Sequence, residues 1–197
     1  MKRGVLVLTV LTMVIAFLGG CKVQVNKSND GEEHNVKIAT PFGAIAVNQN
    51  QTSPGELGLP AYPGAVQDMT GEGTKSAKVD LGFGSWKLRV KVAHYTTTDR
   101  QDQVITFYRQ ALSEYGSVIE CEGNKPVGKA ASTSEGLTCD QSDSRAGDHG
   151  DALQLKAGSP HHQHLVVLKG GSNPPTQFTL IALDLPHGFD NAQKGTN

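Results

Sequence analysis

The fold is read most directly from one stretch, WKLRVKVAHY (residues 86–95). Apolar and basic residues alternate along it, which is the pattern of a strand with one buried face and one solvated face. Residues 77–81 alternate in the same way, and Gly82-Phe83-Gly84-Ser85 separates the two segments. The stretch therefore predicts a β-hairpin at the centre of an antiparallel sheet. The predicted buried face of residues 86–95 consists of Trp86, Leu88, Val90 and Val92, and the predicted solvated face consists of Lys87, Arg89 and Lys91.

Further strands are predicted on both sides of this hairpin. Short alternating segments flank the turn Thr40-Pro41-Phe42-Gly43, which indicates two strands near residues 36–38 and 45–47. Downstream, residues 118–121, 152–157, 164–169 and 177–183 have the composition of strands. A content of 23 glycines in 197 residues also suits a turn-rich β protein.

One helix is predicted after the hairpin. Thr98 and Gln101 are spaced as a capping box, and Gly116 is placed as a stop signal. Apolar residues recur between them at intervals of three and four, which gives a single stripe that we expect to lie on the sheet. The stripe consists of Val104, Ile105, Tyr108, Leu112 and Tyr115. The predicted fold is α+β: a single domain in which an antiparallel β-sheet is packed by one principal α-helix, after an N-terminal signal peptide.

The N-terminus has the organisation of an export signal. Lys2 and Arg3 precede an apolar run of residues 5–18, which is shorter than the roughly 20 residues a transmembrane helix needs. The run ends in Leu18-Gly19-Gly20-Cys21. This sequence resembles the lipobox of bacterial lipoproteins, which implies cleavage before Cys21 and lipidation of Cys21. An ordinary signal peptide and a permanent membrane helix are the alternative interpretations.

The predicted domain organisation follows from this signal. Residues 1–20 form the lipoprotein signal peptide, residues 21–34 the lipidated cysteine and a flexible tether, residues 35–186 the α+β domain, and residues 187–197 a disordered tail. Removing residues 1–20 leaves 177 residues with a formal charge of −3, which fits one domain and argues against nucleic acid as a partner.

Two further cysteines indicate a disulfide. If Cys21 carries lipid, Cys121 and Cys139 remain as an even pair in an exported, oxidising environment. A bond between them would staple the loop of residues 122–138 and contribute about 3 kcal/mol in the chain-entropy model.

A second resemblance concerns the domain. Tyr62-Pro63-Gly64-Ala65 is followed by a strand and then by Val104, Phe107, Tyr108 and Leu112. This combination resembles uncharacterised bacterial secreted proteins and lipoproteins that carry a "YPGA" element and a helix with a V-x-x-F-Y-x-x-x-L pattern. The resemblance spans about residues 36–121 and implies an architecture without naming any chemistry.

Three groups of residues are candidate sites. His161, His162 and His164 form a candidate metal site, because imidazoles two apart on an extended chain point to one side; a polar turn entering a strand explains them equally well. The basic stripe of residues 87–91 could attract lipid headgroups or an acidic partner, although a solvated strand face is the commoner explanation. A ligand cleft could be lined by Tyr62, Trp86 and Tyr95, which are otherwise core material.

No catalytic signature accompanies these groups, since G-x-S-x-G and H-E-x-x-H runs do not occur, and no cofactor is expected. The sequence therefore predicts a non-enzymatic binding module, attached to the membrane through its lipid and contacting another protein of the cell envelope. It leaves the inner and the outer membrane open. The alternative is a small metal-dependent or hydrolytic envelope enzyme that uses the three histidines.

Overall fold

The fold was analysed in a computed structural model, which describes residues 22–27, 34–40, 43–48, 52–68, 76–139, 152–170 and 174–187. The signal peptide, Cys21 and residues 188–197 of the predicted tail lie outside the described residues. In the described part, no helix has the length and apolar character needed to cross a membrane.

The described chain consists of eleven strands, one α-helix and two 3₁₀ turns. In the first half, the strands are β1 (Lys22–Lys27), β2 (His34–Thr40), β3 (Gly43–Asn48), β4 (Val66–Gln67), β5 (Ala77–Phe83) and β6 (Trp86–Thr97). The helix α1 (Gln101–Leu112) follows, and then β7 (Ile119–Glu122), β8 (Lys125–Pro126), β9 (Leu153–Ser159), β10 (His162–Leu168) and β11 (Thr176–Asp184). The 3₁₀ turns are Pro54–Leu57 and Ser113–Tyr115.

All described strands pair antiparallel in a single sheet with the order β1-β2-β3-β5-β6-β11-β10-β9-β7-β8, and β4 adds to β6. The predicted hairpin is confirmed as β5 and β6, and it lies near the middle of this order. The α+β class with one antiparallel sheet and one α-helix is therefore correct. Sequence reasoning missed β1, β4 and β8; the last two have only two residues each, too few to show a period.

β1 differs from the expected tether. The structure pairs Lys22–Lys27 with β2 over six residues, with Val23 opposite Ile38 and Val25 opposite Val36. The alternation of valine with polar residues in KVQVNK is the strand pattern, and the high polarity of the segment concealed it.

The helix begins later than the predicted cap. Its N-cap is Arg100, whose backbone N–H donates to the Gln103 side chain at 3.1 Å, so the Thr98–Gln101 capping box was wrong. The helix ends at Leu112, and a 3₁₀ turn continues the chain to Gly116, whose φ of 122° favours glycine.

The main core lies on one side of the sheet. The helix residues Val104, Tyr108 and Leu112 are buried in one cluster with residues of the 3₁₀ region and of four strands. We call this side the helix-side face. The strand members of the cluster are Ala93, Tyr95, Leu155, Ala157, Val166, Leu168, Phe178 and Leu180.

The long strand β6 changes character along its length. Ala93, Tyr95 and Thr97 are buried on the helix-side face, yet they point to the same side as Lys87 and Arg89. Twelve strand residues extend about 40 Å, whereas a twelve-residue helix extends about 18 Å. The assignment of one buried and one wet face to the whole strand was therefore wrong, because the helix covers only part of its length.

Candidate functional site

A row of charged side chains crosses the helix-side face beyond the helix. Cross-strand pairing places Asp80, Arg89, Asp184 and His162 directly opposite one another on β5, β6, β11 and β10. Arg89 donates to Asp80 at 2.6 Å and to Asp184 at 3.1 Å, and His162 Nδ1 lies 2.9 Å from Asp184 Oδ1. Burial alone would raise the pKa of Asp184, but His162 and Arg89 together lower it. Each of the four side chains therefore has a bonding partner within the row.

The predicted basic stripe is part of this face. Arg89 is paired as described, and Lys91 Nζ donates to the carbonyl oxygen of Glu56 at 2.7 Å. The strand that carries the stripe lies in the interior of the sheet, between β5 and β11. Lys87 and Arg89 are both exposed, and Lys87 lies at the turn end of the strand.

The three histidines of the candidate metal site have separate neighbours. The ring of His161 lies 4.5 Å from that of His187, and the ring of His164 stacks on Tyr115 at 3.8 Å. His162 contacts Asp184, as described above. Among the described residues, no group of three or more His, Cys, Asp or Glu side chains is arranged to hold a metal ion. Burial lowers the pKa of His164, so this imidazole favours its neutral form.

An open groove of about 450 Å³ lies beside the start of the helix. Tyr62 lines this groove and donates its hydroxyl hydrogen to Asp99 at 2.8 Å. Burial, followed by the hydrogen bond to Asp99, raises the pKa of Tyr62 to about 12. The groove is lined by Tyr62, Pro63, Asp99, Asp102, Gln103, Thr106 and Phe107.

The predicted aromatic cleft does not form. Tyr62 and Tyr95 both pack on Phe178 in the core, with ring centroids 6.1 and 5.6 Å away. Trp86 lies at the far end of β6 beside Phe83, at 5.8 Å. The twelve-residue length of the strand separates Trp86 from the core tyrosines, so the three residues line no common site.

The "YPGA" element and the helical V-x-x-F-Y-x-x-x-L motif meet in the core. The Tyr62 ring contacts Phe107 edge-on at 5.1 Å, and the Ala65 N–H donates to the Tyr62 carbonyl oxygen at 3.1 Å to close the turn. Gly64 has a φ of 74°, which a side chain would disfavour. These residues therefore hold the helix and the preceding loop together, a structural role.

The opposite side of the sheet presents an aliphatic surface. Antiparallel pairing brings residues of β2, β3, β5, β6, β11 and β10 into register on this side. Both α1 and the turn Pro54–Leu57 belong to the helix-side cluster, so neither of these described elements covers it. We call this surface the aliphatic face; it consists of Val36, Ile38, Ile45, Val47, Val79, Leu81, Leu88, Val90, Val92, Leu165, Ile181 and Leu183. Apart from Leu165, which is buried, every member is partly exposed.

The aliphatic face was not predicted from the sequence as one continuous surface. Each strand shows its own alternation, but only the pairing order joins the six segments. The signal was present in Val36, Ile38, Ile45 and Val47, which repeat the period of the central hairpin.

The predicted disulfide is present in the structure. Cys121 and Cys139 are bonded, with their Cα atoms 5.5 Å apart. Ile119 and Leu137 are buried with them in a small second cluster. The bond thus holds the loop against β7 and gives it a core of its own, which the sequence did not predict.

Comparison of the chain with protein-family models, curated proteins and solved structures found no match.

Proposed function

We propose that the chain is a lipid-anchored, non-enzymatic module of the cell envelope, which binds another envelope protein through the aliphatic face. The observation that supports this proposal is the aliphatic face itself. It is continuous over six strands, and the described helix packs on the other side of the sheet. Monomeric proteins rarely expose large contiguous apolar patches unless a partner covers them.

The composition of the face favours a protein as its partner. Its members are β-branched and leucine side chains at alternate positions of pleated strands. Such a surface packs well against another sheet or a helix, because its ridges interdigitate with those of the partner. It carries few polar groups of the kind that orient a small ligand.

The chemistry on the other side supports a binding role over an enzymatic one. Asp80, Arg89, Asp184 and His162 bond to one another in a surface row. The buried tyrosines and the helix motif are used in packing. No described constellation combines a nucleophile, a base and an oxyanion site in the way that hydrolysis needs.

Attachment to the membrane is supported by the sequence Leu18-Gly19-Gly20-Cys21. Two or more acyl chains anchor a protein stably, whereas one does so only marginally. Cys21 is the residue directly before β1, so lipidation there would attach the folded domain to the membrane without an intervening tether.

The experiment is in-cell crosslinking of the mature protein with intact Cys21, followed by mass spectrometry of what is captured. The test variant combines Val79→Thr and Val90→Thr, which keep the strand preference and shape of valine while making the face polar. The control is the same change at Val127, a 47% exposed valine in the disulfide loop. We expect an envelope protein that is lost with the test variant and kept with the control.

Two results would contradict the proposal. Capture that is equal with both variants would show that the aliphatic face is not the binding surface. A crosslinked dimer of this chain, lost with the test variant, would replace the envelope partner with a second copy. Thermal unfolding of each variant establishes that a loss of capture is not a loss of fold.

A further inference from the structure

We propose that the turn end of the β5–β6 hairpin contacts the lipid bilayer, placing Phe83, Trp86 and Lys87 in the headgroup region of the membrane that holds Cys21. This inference rests on the lipid anchor of the proposed function. It adds a second attachment point and therefore an orientation of the domain on the membrane.

The hairpin end is an exposed aromatic tip. Phe83 is 44% exposed and lies directly opposite Trp86, with ring centroids 5.8 Å apart. Gly84 and Ser85 form the turn between them, and Gly84 has a φ of 61°. Phe83 is one of three large apolar side chains that are exposed among the described residues, and transfer of its ring to an apolar environment would be favourable.

The sheet register places this tip at the anchored end of the molecule. Lys22, the first residue of β1, pairs with Ala39 of β2, and Ala39 pairs with Ala44 of β3. Ala44 in turn pairs with Gly82, and Gly82 pairs with Lys87. One row across five strands therefore connects the residue after Cys21 with the base of the tip.

The distances along this row are short. Four inter-strand spacings amount to about 19 Å, and Cys21 is one peptide unit from Lys22, with Cα atoms about 3.8 Å apart. A bilayer surface that holds lipid at Cys21 is thus within reach of the tip. A flexible tether of 14 residues would have allowed any orientation, whereas a paired strand starting at Lys22 does not.

The chemistry of the tip fits a bilayer surface. Tryptophan concentrates at membrane interfaces, because its ring is apolar while its N–H can bond to water or headgroups. Lys87 is exposed on the other side of the same strand end, where its positive charge attracts lipid phosphates. Residues 82–88 contain no aspartate or glutamate. The nearest carboxylate in the sequence, Asp80, is bonded to Arg89 at 2.6 Å.

The fold holds the tip in a defined position. Gly43, in the neighbouring strand, lies under the Phe83 ring, and a Cβ atom there would collide with that ring. The Gly43 N–H donates to Thr40 Oγ1 at 3.1 Å, while the Thr40 hydroxyl donates to the Gly43 carbonyl at 2.9 Å. The Phe83 ring is therefore supported by backbone at the same end of the sheet.

Trp86 is the only tryptophan of the chain, so its fluorescence reports on the tip alone. The mature protein is purified from membranes, and its mass establishes whether Cys21 carries lipid. It is then reconstituted into vesicles of phosphatidylethanolamine and phosphatidylglycerol, with and without brominated acyl chains. We expect the Trp86 emission to shift to shorter wavelength on reconstitution and to be quenched by the brominated lipids.

The test variant combines Phe83→Ser with Lys87→Glu and is expected to lose both the shift and the quenching while it remains lipidated. Val127→Ser is the matched control, because it removes an exposed apolar side chain away from the tip. Lipidated protein whose Trp86 emission is neither shifted nor quenched would overturn the tip contact and leave the anchor standing. A mass without lipid at Cys21 would overturn the anchor and, with it, this inference.

Discussion

At the residue scale, four side chains hold the loop of residues 52–60, which has little secondary structure of its own. Tyr95 donates to the Thr52 carbonyl at 3.2 Å, Tyr108 to Pro60 at 3.3 Å, and Tyr115 to Gly58. Lys91 binds the Glu56 carbonyl in the same way. Tyr95 and Tyr108, which are buried, and Tyr115, which is partly buried, thus pack in or against the core and at the same time satisfy backbone acceptors of this loop.

Tyr62 is predicted to make the fold sensitive to alkaline pH. Its pKa is raised from 10.0 to about 12, so the folded state retains a proton that the unfolded state loses. The stabilisation is complete below pH 10 and is lost as the pH rises towards 12. Tyr62→Phe keeps the ring and should reduce the fall in stability between pH 10 and pH 12, measured by urea unfolding. If the unfolding free energy fell equally with pH in the wild type and in Tyr62→Phe, the ionisation of Tyr62 would not be the cause of the alkaline sensitivity.

Reduction of the Cys121–Cys139 bond is predicted to destabilise the protein by about 3 kcal/mol, because the open loop gains conformational entropy in the unfolded state. The measurement is urea unfolding of the wild type and of the Cys121→Ser, Cys139→Ser double variant under non-reducing conditions. Reductant should shift the wild type towards the variant and leave the variant unchanged. A variant as stable as the oxidised protein would show that the disulfide does not stabilise the fold.

At the element scale, the periodicity of the sequence predicted the buried side of the helix but not the residue at which the helix begins. Its apolar stripe was predicted, and Val104, Tyr108 and Leu112 are buried. The predicted N-cap, Thr98, lies two residues before the observed N-cap, Arg100. Thr98 and Gln101 have the residue types and spacing of a capping box, but the helix start is fixed by tertiary contacts of Asp99. Asp99 accepts from Tyr62, and its carbonyl accepts from Thr176 at 2.7 Å.

Leu112→Ala is predicted to cost about 2–5 kcal/mol of unfolding free energy, because Leu112 is fully buried and its removal leaves a cavity. Gln110→Ala, on the exposed side of the same helix, should change stability by less than about 0.5 kcal/mol. Both changes in unfolding free energy are measured by urea unfolding, with one m-value used for all the proteins. Similar losses for the two variants would mean that the helix is not docked through its apolar stripe.

At the scale of the whole molecule, the sheet separates three kinds of surface. The helix-side face holds the core at one end and the charged row at the other, the aliphatic face lies opposite, and the aromatic tip lies at the end where β1 begins. If Cys21 is lipidated, this arrangement would leave the aliphatic face free to meet a partner beside the membrane.

Cys21→Ser is predicted to release the protein from the membrane fraction without altering its unfolding midpoint. The physical reason is that the main core is built from the helix and the strands β6, β9, β10 and β11, away from the N-terminal edge strand. Cell fractionation and denaturant unfolding measure the two effects separately. A variant that stays membrane-bound although its mass shows that residues 1–20 have been removed would contradict lipid at Cys21 as the anchor.

The sequence was sufficient to predict the class of fold, the central hairpin, the helix and the cysteine pair. Each depends on a local period or on a residue type whose chemistry has few uses. Tertiary structure decided the rest: which face of β6 is covered along each half, which strands align into one aliphatic face, and which residues share an end with β1. These features depend on strand order and register over as many as 95 residues of separation, as between Arg89 and Asp184. Local patterns carry no information about such pairings, because a period of two is the same whichever strand lies alongside.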